Sequence, residues 1–139
     1  MKFLAALIFS SALCATLTAC AERSSDEQQV RELFASVEKA AEARDSSDVL
    51  EHVASSYSDE RGFDKTRLRN FLRGYFLANP KVEVLVDVES VELPVPGLAK
   101  ARVGIAVLPA GDTATLEVEL RREEDEWRVV RADRAREER

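Results

Sequence analysis

The chain has 139 residues, a formal net charge of −6, two cysteines and one histidine. An acidic chain is a poor match for nucleic acid, whose binding depends on neutralising phosphates with Lys and Arg. One histidine without a spaced partner does not make a metal site. No glycine-rich phosphate loop or nucleophile motif is present either. We therefore predict no metal, no cofactor and no nucleic-acid partner.

The N-terminal segment has the layout of a secretory leader. Met1 and Lys2 give a positive start, and an apolar run of about 15 residues extends from Phe3 to Leu17. This run is shorter than the roughly 20 apolar residues that span a bilayer, and polar residues follow it closely. Two alternatives stay open here, a retained transmembrane helix and a plain secretory signal cleaved near Ala19.

The end of this leader, Leu17-Thr18-Ala19-Cys20, resembles the lipobox of bacterial lipoproteins. The resemblance implies cleavage before Cys20, acylation of that residue and anchoring in the cell envelope. In a two-membrane bacterium it implies the outer membrane, facing the periplasm. Several acyl chains anchor a protein stably, whereas one does so only marginally. Because Cys14 lies in the leader, no second thiol would remain in the mature chain to form a disulfide.

These observations predict four segments along the chain. Residues 1–19 are a removed signal peptide, and residues 20–26 are a lipidated tether. Residues 27–132 form one domain, a size that supports one hydrophobic core. Residues 133–139 are a charged tail, since the stretch from residue 131 has almost nothing to bury.

Three amphipathic helices are predicted in the first half of the domain. The first begins near Asp26, where two capping boxes overlap, and ends around residues 44–45. The second is short and is capped by Asp48. The third begins after Asp64 and ends at Asn79, because the residue before a proline avoids the helical conformation. The second helix is predicted to bury Val49, Leu50, Val53 and Ala54.

After Pro80 the apolar period changes from helical to two, which predicts four antiparallel strands. The first strand needs a β-bulge near Glu89-Ser90 to keep its later apolar residues on the inner face. The last strand runs from Trp127 to about Ala132. In the middle hairpin, opposite charges face each other across the strands. The facing residues are Lys100 and Arg102 on one strand and Glu117 and Glu119 on the next.

This order of elements is α+β, and it resembles the nuclear transport factor 2-like superfamily with its cystatin-like, cone-shaped fold. The resemblance rests on the short second helix ending in residues 53–59, on Tyr75-Phe76, and on the closing segment 126–132. It implies three N-terminal helices packed on a curved antiparallel four-stranded sheet. Members include ketosteroid isomerase-like and dehydratase enzymes, pockets without known chemistry, and pairs of chains joined through the sheet's outer face. The fold therefore does not transfer a function.

Four residues are candidates for a pocket, because their polar tips could orient a ligand at its mouth. They are Tyr57, Tyr75, Trp127 and His52. The alternative is that the aromatic residues are ordinary core residues and that His52 is structural. The inner face of the sheet is otherwise apolar, and the strand carboxylates are predicted to face outward. These carboxylates are Glu83, Asp87, Glu89, Glu117 and Glu119.

The third helix carries a basic ridge in an otherwise acidic domain. Lys65, Arg69 and Arg73 recur every four residues, and Arg67 lies nearby. The ridge predicts docking of an acidic partner or a lipid head group. The alternative is ordinary salt bridging to the first helix, or plain solvation.

Two functions fit the sequence. The first is a membrane-tethered, non-catalytic module that binds an envelope protein, a small apolar ligand or a second copy of the chain. The second is a small pocket enzyme of the isomerase, dehydratase or hydrolase kind. We prefer the first, and a carboxylate buried beside Tyr57 or Tyr75 would overturn that preference. The enzyme also needs a carboxylate or His52 that points inward with a raised pKa. A pocket filled by aromatic side chains would disfavour it. Those side chains are Phe34, Phe71, Phe76 and Trp127.

Overall fold

The computed structural model describes residues 15–137, with side chains from residue 25 onward. Residues 1–14 of the predicted leader, which runs over residues 1–19, and the side chain of Cys20 lie outside this description. Within it, no helix combines the length and the hydropathy that a bilayer crossing requires. The structure therefore bears on the fold of the domain and leaves the lipid anchor as a prediction.

Three helices precede four strands, and the strands form one antiparallel sheet in chain order. The predicted α+β architecture is confirmed. The helices are α1 (Ala15–Glu42), α2 (Ser46–Glu51) and α3 (Lys65–Ala78). The strands are β1 (Glu83–Val95), β2 (Leu98–Leu108), β3 (Asp112–Glu123) and β4 (Glu126–Arg134).

Helix α1 begins at Ala15, earlier than the predicted start near Asp26, and includes the segment 20–26 predicted as a tether. The residues before Asp26 are mostly good helix formers and include no glycine or proline, so nothing in the sequence stops the helix there. Ser25 consequently lies inside the helix. Its Oγ accepts a hydrogen bond from Gln29 Nε2 at 3.2 Å and does not cap a helix start.

The cap of α2 is also one turn earlier than predicted. Asp45, and not Asp48, is the N-cap, and its carboxylate accepts from the Asp48 N–H at 3.0 Å. An N-cap side chain bonds to the N–H two or three residues onward, which makes Asp48 the bonded partner. For α3 the prediction is confirmed, since Asp64 accepts from the Arg67 N–H at 2.8 Å and Asn79 ends the helix.

The sheet confirms the predicted bulge and hairpin register. The pairing of β1 with β2 shifts between Val88 and Ser90. In the middle hairpin Lys100 lies opposite Glu119 and Arg102 lies opposite Glu117. The strand carboxylates lie on the outer face as predicted, and of these only Glu119 is half-buried.

Strand β4 is longer than predicted. It continues to Arg134, so Asp133 and Arg134, which were predicted to begin the charged tail, are paired in the sheet. Arg131 pairs with Glu119, and Arg134 pairs with Leu116. The prediction was wrong because it weighed burial alone, whereas β3 offers backbone hydrogen bonds along its whole length.

The core lies between the inner face of the sheet and the first two helices. Helix residues such as Phe34 and Leu50 are buried against strand residues such as Val103 and Leu120. All four buried positions predicted for the second helix are buried. The inner face of the sheet is thus covered by the domain's own apolar side chains over much of its area.

The edge of β1 is covered by two side chains of α1. Arg31 Nη1 donates to the Val88 carbonyl at 2.9 Å, and the Val86 N–H donates to Glu38 Oε2 at 2.7 Å. These contacts satisfy backbone groups that an edge strand would otherwise leave open.

The edge of β4 is covered by the segment 52–58, which follows α2. This segment makes three backbone hydrogen bonds with Val129 and Val130, between 2.8 and 3.1 Å. Val53 also forms a parallel bridge with Val129. Each edge of the sheet therefore has a partner from the helical layer.

Candidate functional site

Asp59 is a buried charged residue, with an exposed fraction of 7 %. Its carboxylate accepts hydrogen bonds from the Tyr57 hydroxyl at 2.9 Å, the Arg61 N–H at 2.9 Å and the Phe63 N–H at 3.1 Å. The Arg61 guanidinium is a fourth donor, with Nη2 at 3.3 Å. These hydrogen bonds offset the free-energy cost of removing the carboxylate from water.

The protonation of the Asp59–Tyr57 pair follows from these contacts. Burial by itself would raise the pKa of Asp59, but the hydrogen bonds from Phe63, Tyr57 and Arg61 outweigh it and hold the pKa below its usual value. Burial raises the pKa of Tyr57, and the hydrogen bond to Asp59 raises it further. At neutral pH the pair is therefore an ionised carboxylate and a protonated phenol. A carboxylate with a lowered pKa is a poor general base.

The Asp59–Tyr57 pair meets one of the two conditions for the enzyme alternative. A carboxylate, that of Asp59, does lie buried beside Tyr57. Its pKa is lowered, whereas the enzyme alternative requires a raised pKa. In the sequence Asp59 stands in a polar segment, residues 58–62, and nothing in its composition marks it as buried. The available signal is the spacing to Gly62, because an Asp followed three residues later by a glycine is typical of a turn held by the Asp side chain. Gly62 has a φ of +78°.

A row of aromatic side chains runs from this loop along α3. We call Phe63, Phe71 and Tyr75 the aromatic row. The ring centroids of Phe63 and Phe71 are 5.9 Å apart, and those of Phe71 and Tyr75 are 6.2 Å apart. The Arg61 guanidinium lies 4.3 Å from the Phe63 centroid, a distance at which a cation is attracted to a ring face. Phe71 keeps an exposed fraction of 45 %.

The far end of the aromatic row meets the turn between β2 and β3. The Tyr75 hydroxyl donates to Asp112 Oδ2 at 3.1 Å. Burial raises the pKa of Tyr75, and the bond to Asp112 adds to that effect. The row therefore links the loop before α3 to the sheet and leaves part of an apolar surface open to solvent.

His52 is the C-cap of α2. Its backbone carbonyl accepts from the Val129 N–H at 2.8 Å. Burial lowers the pKa of its side chain, and the positive charge of Arg128 lowers it further. Among the described residues, no group of three or more His, Cys, Asp or Glu side chains could hold a metal ion.

Trp127 is buried in the core with an exposed fraction of 5 %. Its indole N–H has no partner in the described part of the chain. The guanidinium of Arg122 lies 5.1 Å from the ring centroid. Arg122 also binds Asp26 and donates to Gln29 Oε1 at 3.1 Å, so it ties the β3–β4 end of the sheet to α1.

The four predicted pocket residues are not joined to one another. No hydrogen bond or ring contact in the described part links any two of Tyr57, Tyr75, Trp127 and His52. Tyr57 and Trp127 belong to the core, whereas Tyr75 lies at the β2–β3 turn. Of the side chains that could fill a pocket, Phe34, Phe76 and Trp127 are buried and Phe71 is not. The pocket stays a prediction.

The basic ridge lines an open groove of about 400 Å³ between α2 and α3. We call it the basic groove. It is lined by Ser47, Leu50, Glu51, Lys65, Arg69 and Arg73. Lys65 Nζ donates to the Val53 carbonyl at 2.8 Å. Arg67 is absent from the groove, and its guanidinium faces the Gly62 carbonyl at 3.5 Å.

A second groove, of about 470 Å³, lies on the outer face of the sheet. Its lining is mainly charged and includes Arg102, whose guanidinium pairs with Glu89 at 3.0 Å and with Glu117 at 3.7 Å. Neither of these two grooves is lined by the aromatic row.

No protein-family model and no curated protein matches the sequence. Solved structures do match. A nuclear transport factor 2-like protein with a cystatin-like fold from Novosphingobium aromaticivorans superposes with a TM-score of 0.69 at 19 % identity, over 86 % of each chain. A domain of unknown function from Nostoc punctiforme gives 0.68 at 14 % identity, over 83 % of this chain and 79 % of that one.

The chain has a cystatin-like, nuclear transport factor 2-like fold. A candidate aromatic ring hydroxylase from N. aromaticivorans has it too, with a TM-score of 0.66 at 18 % identity over 83 % of this chain and 91 % of that one. At these identities the likeness concerns the fold alone. The function must be argued from this chain's own residues.

Proposed function

We propose that the chain is a lipid-anchored protein of the bacterial cell envelope whose domain is a non-catalytic binding module. The observation that carries the non-catalytic part is Asp59. This buried carboxylate is engaged by four donors and has a lowered pKa. Such a group fixes structure and does not exchange protons at neutral pH.

The anchor is supported by Leu17-Thr18-Ala19-Cys20 and by the position of the first docked residue. Arg122 binds Asp26, six residues after Cys20. These residues lie within α1, and six residues of helix span about 9 Å. A lipid on Cys20 would therefore hold this end of the domain close to the bilayer.

The anchor is tested by comparing Cys20→Ala with Cys14→Ala, which removes the other cysteine. We expect wild type and Cys14→Ala to incorporate radiolabelled palmitate and to fractionate with membranes. Cys20→Ala should incorporate no label, because the acceptor sulfur is gone. Equal labelling of Cys20→Ala and wild type would show that Cys20 is not the acylated residue.

The binding surface that we assign to the module is the aromatic row. Phe71 combines partial exposure with contacts to two neighbouring rings, and Arg61 places a positive charge at one end. Partly exposed apolar surfaces of this kind mark sites for small apolar ligands or partner proteins.

This assignment predicts the behaviour of two variants on the same helix. Phe71→Ala should weaken binding of the apolar probe anilinonaphthalene sulfonate about five-fold or more, measured by fluorescence titration, since an aromatic contact contributes about 1 kcal/mol. Leu77→Ala is the matched control, because Leu77 is more exposed, at 84 %, yet lies outside the row. Equal losses in the two variants would mean that the probe binds elsewhere.

A small pocket enzyme is the second candidate, and the buried Asp59–Tyr57 pair favours it. A raised pKa would suit Asp59 to acid–base chemistry of the isomerase, dehydratase or hydrolase kind near neutral pH. The lowered pKa opposes that role. A directly measured pKa of this carboxyl therefore separates the two candidates.

A further inference from the structure

The basic groove holds positive charge that the fold itself does not neutralise. Arg69 is half-buried and Arg73 is exposed, and neither forms an ion pair within the described part of the chain. Glu51 lines the same groove without pairing with either arginine. Lys65 is fixed by its bond to the Val53 carbonyl, which leaves its charge at one end of the groove.

The spacing of these cations suits a particular kind of ligand. Residues four apart on a helix have side chains about 6 Å from each other. Alternate residues of an extended peptide are about 6.6–6.8 Å apart and lie on one face. We propose that the basic groove binds an acidic peptide segment of another protein, with carboxylates of that segment pairing with Arg69 and Arg73.

The position of the groove favours a protein partner over the anchoring membrane, and this choice rests on the proposed function. Ser47 follows the C-terminal end of α1, whereas Arg122 binds Asp26 near the other end. The helical stretch from Asp26 to Glu42 is about 24 Å long. A lipid on Cys20 would hold the Asp26 end at the bilayer, so the groove would lie at the end of α1 that is farther from the anchor.

The same reasoning argues against a second copy as the occupant. Within the described residues, the longest run of consecutive exposed acidic residues is 123–126, in the turn that follows Arg122. On the proposed function it lies at the anchored end of the domain. Two copies held side by side by that end would keep this turn and the partner's basic groove at opposite ends of their first helices.

The test uses the full-length chain in non-ionic detergent and a fluorescein-labelled octaglutamate peptide, followed by fluorescence anisotropy. The double variant Arg69→Gln/Arg73→Gln should bind the peptide about ten-fold more weakly, because two charge pairs are lost. Arg67→Gln is the control for charge on α3 outside the groove; it removes one positive charge, so the single variants Arg69→Gln and Arg73→Gln are measured beside it. The affinity of Arg67→Gln should stay within about two-fold of wild type, and wild-type binding should fall as salt is added.

Three results would overturn the proposal. One is no binding of octaglutamate to wild type, and another is equal weakening by Arg67→Gln. The third is tighter binding of Cys20→Ala to phosphatidylglycerol vesicles than to octaglutamate, through Arg69 and Arg73, which would make a lipid surface the partner. Cys20→Ala should still bind the peptide. A failure of the proposed peptide binding is therefore distinguishable from a failure of the proposed lipid anchor.

Discussion

The carboxylate of Asp59 fixes the turn between α2 and α3, because its four donors come from Tyr57, Arg61 and Phe63. The same contacts place the Arg61 guanidinium over the Phe63 ring. One side chain therefore determines both the conformation of the turn and the start of the aromatic row. The burial of Asp59 is explained by this positioning role without invoking catalysis.

Asp59→Asn should lower the free energy of unfolding by about 2 kcal/mol, since hydrogen bonds to a charged group contribute about 1.5–3 kcal/mol and an amide cannot accept from every donor. Urea unfolding monitored by circular dichroism measures this. Asp112→Asn is the control, because Asp112 is exposed and accepts one bond, from Tyr75. Its effect should stay below about 1 kcal/mol. Equal effects of the two substitutions would contradict a special role for Asp59.

The contribution of Asp59 should also depend on pH. Its pKa is lower in the folded chain than the usual value of 3.8, so the unfolded chain takes up the proton first. The stabilisation is therefore complete above about pH 4 and is lost as the pH falls through the folded-state pKa.

The free energies of unfolding of wild type and Asp59→Asn should accordingly converge on acidification from pH 7 to pH 3. Carbon-13 NMR of the Asp59 carboxyl should give a midpoint below that of an unfolded peptide. A midpoint above it would favour the pocket enzyme.

At the scale of single helices and strands, the boundaries predicted from sequence are most accurate where the determining residues are close together in the chain. The cap at Asp64 and the stop at Asn79-Pro80 bound α3, because both signals act within a few residues. The alternation of β2 and β3 fixed their register, since a slip of one residue would expose the apolar face.

Signals that depend on other parts of the molecule were missed. The end of β4 depends on pairing with β3, and the burial of Asp59 depends on donors up to four residues away along a turn. The relative placement of Tyr57, Tyr75 and Trp127 depends on how helices cross the sheet. Periodicity determines which face of an element is buried but not which side chains meet across elements.

Alanine substitutions at two glycines, one within α3 and one before it, should change the free energy of unfolding in opposite directions. Gly74 lies within the helix with nothing within 4 Å of an added Cβ, so Gly74→Ala should raise the free energy of unfolding by about 0.5–1 kcal/mol. An added Cβ at Gly62 would also meet nothing within 4 Å, but the backbone φ there is +78°. Gly62→Ala should therefore lower the free energy of unfolding by about 1 kcal/mol. Thermal and urea unfolding of both variants checks this, and a change of the same sign in both would contradict it.

At the scale of the whole molecule, charge is distributed unevenly along the long axis of α1. The end near Asp26 carries the acidic turn 123–126, held beside Arg122. The end beyond Glu42 carries the basic groove. An anchor at the first end would present the second to the surrounding aqueous space.

The covered edges of the sheet have a consequence for crowding. A strand with open backbone groups can recruit the same strand of a neighbouring molecule, and this leads to aggregation. Proteins confined to a membrane surface meet each other more often than they do in solution. Here α1 side chains occupy the edge of β1, and the segment 52–58 occupies the edge of β4. For a chain anchored as proposed, these contacts would close part of each edge to the strands of neighbouring copies.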